Sequence, residues 1–268
     1  MKLCWLTDIH LNFLSEKERF IFYEQINKKD CAGILITGDI ADAPSLNLVL
    51  KEMARTLQKP IYFVLGNHDY YHSEINEVKT EIEELCGKNS LLHWLPREKF
   101  VLLNKDTILL GQDGWADGRY GDYQNSGIVL NDSRLIYDLF SQSILGKNKL
   151  LDKMQELADI DAQALQADLS NSITKETKKI ILLTHVSPFE GSCWHEGEIS
   201  APDWMPFFTS KAIGDVILQA VQDNPTIDFL VLCGHTHSSG IYKPLPNLLV
   251  KSGKAEYYKP EIQEIIEI

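Results

Sequence analysis

Apolar runs of about five residues recur along the chain, and five of them end in the same kind of polar sequence. Residues 3–7, 33–37, 61–65, 180–184 and 229–233 are short, continuous and rich in Leu, Ile and Val. Such runs read as strands buried on both faces. Between the first three lie segments with helical spacing. Ser15 and Glu18 form a capping-box pattern ahead of a helix to about Lys29, with Phe20, Tyr23 and Ile26 inward. Pro44 and Ser45 open a second helix with Leu46, Val49, Leu50, Met53 and Leu57 on one face, and Pro60 stops it. Ser73 caps a third, facing inward through Ile75, Val78, Ile82 and Leu85, with Gly87 expected past its end. The order strand, helix, strand, helix, strand, helix predicts an α/β fold with a parallel sheet.

Shorter runs at 91–95, 100–103 and 107–110 have no helical spacer and read as edge or meander strands. Residues 111–127 are rich in Gly, Asp and aromatics, with Arg119 between Trp115 and Tyr120, and read as a functional loop. Helices are predicted over 131–140, 150–169 and from Ile213 to Val221. Residues 186–210 form a second irregular segment, containing His195, Trp194 and Trp204. Short strands are expected at 241–242, 248–250 and 262–268. No repeat or Pro/Gly/Ser linker divides the 268 residues, so the expectation is one domain over 1–268, with loop insertions near 111–130 and 186–210.

Composition narrows the class. A net charge of −12 argues against a surface that tracks nucleic-acid phosphates. The five cysteines are odd in number and include no CxxC pair, which points to a reducing, cytoplasmic setting. No run is long enough for a membrane span or export signal. Position +6 from each cysteine is never Arg, which excludes a CxxxxxR phosphatase loop. GxSxG and GK[ST] motifs are also absent.

The polar residues at the ends of the five apolar runs carry the chemistry. They are Asp8 and His10, Gly38-Asp39, Gly66-Asn67-His68-Asp69, His185, and Gly234-His235-Thr236-His237. Each is ordinary turn sequence alone. Together they deliver Asp, Asn and His to the C-terminal ends of several strands, where open α/β sheets bind ligands. His72 and His93 have no place in this pattern.

In that order these motifs resemble the full set of the calcineurin-like metallophosphoesterases, over residues 8–237. The resemblance implies a four-layer α/β/β/α sandwich with two metals at the strand ends. One metal would take Asp8, His10, Asp39 and His237. The other would take Asp39, Asn67, His185 and His235, with Asp39 bridging. His68 would act on the substrate as a protonated donor, and Asp69 would hold His68. The i, i+2 spacing of His235 and His237 fits two imidazoles on one side of an extended segment. Mixed O/N ligands suit Mn, Fe or Zn. The expected reaction is direct attack of a metal-bridging hydroxide on a phosphate ester, a small-molecule phosphodiester or phosphomonoester. Arg119 and His195 are candidate substrate contacts. The other readings are a non-catalytic metal-binding scaffold and a protein phosphatase. The sequence does not fix the oligomeric state.

Overall fold

The computed structural model describes residues 1–268. Thirteen strands are formed: β1 (Lys2–Leu6), β2 (Gly33–Thr37), β3 (Ile61–Val64), β4 (Leu92–Trp94), β5 (Val101–Leu102), β6 (Thr107–Gly111), β7 (Lys179–Leu183), β8 (Trp194–His195), β9 (Glu198–Ile199), β10 (Asp228–Cys233), β11 (Gly240–Leu245), β12 (Leu248–Ser252) and β13 (Glu264–Glu267). The helices are α1 (Glu16–Asn27), α2 (Ala43–Leu57), α3 (Ile75–Lys88), α4 (Leu95–Glu98), α5 (Asp132–Leu135), α6 (Tyr137–Ser143), α7 (Lys147–Ser172), α8 (Met205–Phe208) and α9 (Lys211–Asp223).

Two sheets face each other. The first has the order β13-β1-β2-β3-β4, and β1 to β4 run parallel. The second has the order β11-β12-β10-β7-β6-β5, with β12, β10, β7 and β6 parallel. The side-chain alternation of a strand sorts the core into layers. Leu3, Trp5, Leu35, Ile181, Leu183, Leu230 and Leu232 cluster between the sheets. Their neighbours Cys4, Leu6, Ile34 and Ile36 pack instead with residues of α1, α2 and α3. On the far side, Ile180, Leu182 and Val231 pack with Leu165 and Leu169 of α7 and with Ile213 and Ile217 of α9. The result is the α/β/β/α sandwich, and it explains why the central strands read as unbroken apolar runs. No helix is long and apolar enough to cross a membrane.

Several local features follow from the sequence as expected. Ser15 and Glu18 close a capping box on α1, and Pro44 lies in the first turn of α2. Others differ. Glu74, not Ser73, precedes α3, and the Ser73 hydroxyl bonds Glu77 instead. Gly87 sits inside α3 rather than beyond it. β4 and β5 are sheet edges, but β6 lies inside the second sheet between β5 and β7. The single helix predicted over 131–140 is broken in two, because Ile136 is extended and bridges to Ser73. That break fixes the segment against the 66–73 loop.

The inter-sheet layer holds the two halves of the site in register, so its packing is testable. Leu35 is fully buried there. Leu35→Ala is expected to cost about 2–5 kcal/mol in urea unfolding. A loss below about 1 kcal/mol would contradict tight packing at this position.

Candidate metal centre

Five of the predicted strand-end residues leave their strands through an unusual backbone turn. Asp8, His10, Asp39, His235 and His237 all have positive φ, between 41° and 71°. Non-glycine residues rarely adopt this left-handed conformation, and such strain collects at functional sites. Here it folds five side chains back over the strand ends. The two sheets contribute jointly: Asp8, His10, Asp39 and Asn67 follow β1, β2 and β3, while His185, His235 and His237 follow β7 and β10.

Glycines make the close approach possible. A Cβ on Gly38 would lie 2.5 Å from His185 Nδ1. One on Gly66 would lie 2.6 Å from the Asp39 amide nitrogen and 2.7 Å from His185 Cε1. Gly234 packs directly on the Asp8 carboxylate and the Thr7 hydroxyl.

The donor atoms fall into two groups that meet at Asp39. In the first, His10 Nε2 and His237 Nε2 are 3.2 Å apart, His10 Nε2 is 3.8 Å from Asp39 Oδ2, and His237 Nε2 is 3.5 Å from Asp8 Oδ1. All four donor atoms lie within 4.8 Å of one another. In the second, His185 Nε2 is 2.9 Å from Asn67 Oδ1 and 3.4 Å from Asp39 Oδ1. His235 Nδ1 is 3.0 Å from the same Asn67 oxygen and 3.2 Å from His185 Nε2.

The tautomers decide what these contacts mean. His185 Nδ1 is 2.8 Å from the Thr37 carbonyl, and His235 Nε2 is 3.0 Å from the Phe207 carbonyl. A carbonyl only accepts, so each of these nitrogens carries the proton. The opposite nitrogens, His185 Nε2 and His235 Nδ1, are therefore bare lone pairs. They point at each other and at Asn67 Oδ1, with no proton between them. Burial and the neighbouring imidazoles hold His10 down to about 3 and His235 down to about 4, so neither relieves the crowding by protonation near neutral pH. Burial, then the charge of Asp8, pushes the Asp39 carboxyl well above the usual carboxylate range. Lone pairs packed this closely fit a cation at the second cluster, and the carboxylate and imidazole donors grouped at the first, with the amide and imidazoles of the second, form a mixed set that fits divalent ones.

Around this core the surrounding residues fix the donors. Asp132 Oδ1 accepts from Asn67 Nδ2 at 2.8 Å and from the Tyr71 hydroxyl at 2.7 Å, which aims Asn67 Oδ1 inward. Asp8 accepts from the His235 amide at 2.9 Å. His68 lies beside the centre, with its amide donating to Asp39 Oδ1 at 2.9 Å and its Nε2 4.0 Å from Asp39 Oδ2. Its ring packs on Tyr71, 4.2 Å between centroids. Tyr257 spans the opening, 4.6 Å from His10 and 5.1 Å from His237. His195 lines the same cavity, of about 230 Å³, and packs against Trp204 and Phe208.

Two sequence expectations differ from this geometry. Asp69 makes no bond to the His68 ring. It is fully buried and accepts from the amides of Ile40, Ala41 and Gly66 at 2.8–2.9 Å, tying the 39–41 and 66–69 loops together. Arg119 is spent in ion pairs with Asp117 at 3.0 Å and Asp159 at 2.8 Å, and does not line the site cavity. Three residues at the site carried no sequence signal: Tyr71, Asp132 and Tyr257.

A family model described as calcineurin-like phosphoesterase matches residues 1–239. No curated protein matches the sequence. Among solved structures, phosphopantetheinyl hydrolase from Mycobacterium tuberculosis is similar with TM-score 0.62 at 12% identity, covering 94% of this chain and 89% of that one. A dimetal phosphatase from Danio rerio gives TM-score 0.58 at 12% identity, covering 94% and 86%. At this identity both likenesses speak to the fold.

If Asp132 aims Asn67, Asp132→Ala weakens divalent-cation binding by about tenfold to a hundredfold. Calorimetric titration with Mn(II) measures this. Unchanged affinity in a folded variant contradicts the positioning role.

Proposed function

This chain belongs to the calcineurin-like phosphoesterase family and is a metal-dependent phosphoric ester hydrolase; on that premise we propose how its residues divide the work. Asp8, His10, Asp39 and His237 hold one divalent cation. Asp39, Asn67, His185 and His235 would hold a second, with Asp39 Oδ2 on the His10 side and Oδ1 on the His185 side. The observation that carries this reading is the set of bare lone pairs meeting at Asn67 Oδ1 and Asp39. When bound, the two cations supply Lewis acidity, lowering the pKa of a water toward neutrality and offsetting phosphoryl charge. The donor set suits Mn, Fe or Zn.

The substrate is a small-molecule phosphodiester or phosphomonoester. Water attacks phosphorus directly as the P–O bond to the leaving group breaks, the water giving up its proton to solvent and the leaving oxygen taking one from solvent. Direct attack by water involves no covalent phosphoenzyme. His68 enters as a neutral imidazole, because burial, then His10 and His185, push its pKa far below the usual range. This departs from the expected imidazolium. His68 therefore orients the substrate by donating one ring N–H to a phosphoryl or leaving oxygen, held by Tyr71 and by its own amide on Asp39. Asp69 acts one step back, by fixing the loops that carry Asp39 and Asn67. His195 is a substrate contact at the cavity wall. Its packing on Trp204 and Phe208 sets its position.

A scaffold without turnover would tolerate loss of donors or of His68, and none is lost. The test is hydrolysis of p-nitrophenyl phosphate and bis-p-nitrophenyl phosphate with added Mn(II). Turnover should vanish with chelator, and His68→Ala should lower kcat about a hundredfold or more while retaining its metals. Bound metal with no turnover on a broad ester panel would favour the scaffold.

A further inference from the structure

Tyr257 reaches the metal centre from a loop of its own. The loop, residues 253–263, joins β12 to β13 and lies beyond the 1–239 span of the family match. Both of its ends are tied down. The Gly253 amide donates to the Cys233 carbonyl at 2.9 Å, and the Ala255 amide to the His237 carbonyl at 3.2 Å. At the far end the Gln263 amide donates to the Trp5 carbonyl at 2.9 Å. The Gln263 side chain then closes the neck. Its Oε1 accepts from the Lys254 amide and its Nε2 donates to the Lys254 carbonyl, both at 2.9 Å. Between these ties the Lys259 amide donates to the Glu256 carbonyl at 3.0 Å, so the chain reverses at Tyr257 and Tyr258.

The reversal seats the Tyr257 ring on two of the donor imidazoles, 4.6 Å from His10 and 5.1 Å from His237, with Phe13 against it at 5.3 Å. Tyr257 lines the site cavity together with His68, yet 41% of it stays exposed. One part of the ring is therefore fixed by the histidines while another faces the space a substrate enters. Its hydroxyl bonds no protein group, whereas those of Tyr70 and Tyr71 are committed to Asp113 and Asp132. Burial, then the charges of Asp39, Asp8 and Asp132, push its pKa up to about 12, so the hydroxyl stands in the field of the site's carboxylates.

The cavity also needs such a donor. Its wall contains no Lys or Arg. The Asn67 amide and the Tyr71 hydroxyl are spent on Asp132, and His235 Nε2 on the Phe207 carbonyl. A phosphoryl group carries at least two non-bridging oxygens with several lone pairs, and hydrogen bonds to such anionic oxygens are the strong ones. A phenol donates one without placing a positive charge beside the two cations, which a Lys or Arg would do.

We infer that Tyr257 is a further catalytic residue of this site, its hydroxyl donating a hydrogen bond to a non-bridging oxygen of the phosphoryl group. The inference rests on the proposed function and adds a substrate contact to it. The tied loop supplies the aim: Gln263 and the Ala255 amide hold the turn, and the turn holds the ring over His10 and His237.

Tyr257→Phe tests it, because the ring packing stays and only the hydroxyl goes. With Mn(II) present, kcat/KM for bis-p-nitrophenyl phosphate should fall about tenfold to a hundredfold. Calorimetry should show inorganic phosphate binding about tenfold more weakly to the Mn(II)-loaded variant, and Mn(II) itself binding as in the wild type. A Tyr257→Phe enzyme that matches the wild type, with loss only in Tyr257→Ala, overturns the inference, since the ring and not its hydroxyl then matters. Weakened Mn(II) binding in Tyr257→Phe also overturns it, because the residue then acts through the metal donors. No metal-dependent turnover by the wild type overturns the proposed function instead, and the phosphate titrations then decide Tyr257 alone.

Discussion

The Asp39 carboxylate is the point on which the site depends. Its Oδ2 faces His10 and His68, its Oδ1 faces His185 and accepts the His68 amide, and the group is almost wholly buried. A carboxylate in that position, among bare imidazole nitrogens and near Asp8, is unfavourable without positive charge beside it. The protein tolerates the arrangement because both sheets hold it in place. Its backbone is left-handed, its loop is tied by Asp69, and the glycines at 38 and 66 leave no room for drift.

The fold produces this by joining two parallel sheets at their C-terminal edges. Neither sheet has a complete donor set. The first brings two carboxylates, an amide and one imidazole, the second brings three imidazoles, and the apolar layer between them sets their separation. Hydrogen bonds from the ring nitrogens His185 Nδ1 and His235 Nε2 to backbone carbonyls choose the tautomer that leaves lone pairs inward. The packing of the core and the chemistry of the site are thus one constraint at two scales.

Most of this was legible in the sequence, because candidate metal donors at strand ends follow apolar runs that are themselves easy to see. All seven proposed donors, from Asp8 to His237, converge. What failed was inference from adjacency. Asp69 follows His68 in the chain, but in a tight turn successive side chains diverge, and Asp69 went to backbone amides. Arg119 looked free because its partner Asp159 lies forty residues away on α7. Asp132, Tyr71 and Tyr257 reach the site only through tertiary folding, and nothing periodic marks them. The break at Ile136 arises the same way, from a bridge to Ser73 that no local propensity encodes.

Anomalous diffraction from crystals grown with Mn(II) tests the central claim most directly. The account predicts two peaks about 3.5–4 Å apart, one on each side of the Asp39 carboxylate. One peak would be His10 and His237 bound, the other His185 and His235 bound. A single peak, or peaks that leave Asp39 uncoordinated, would contradict it.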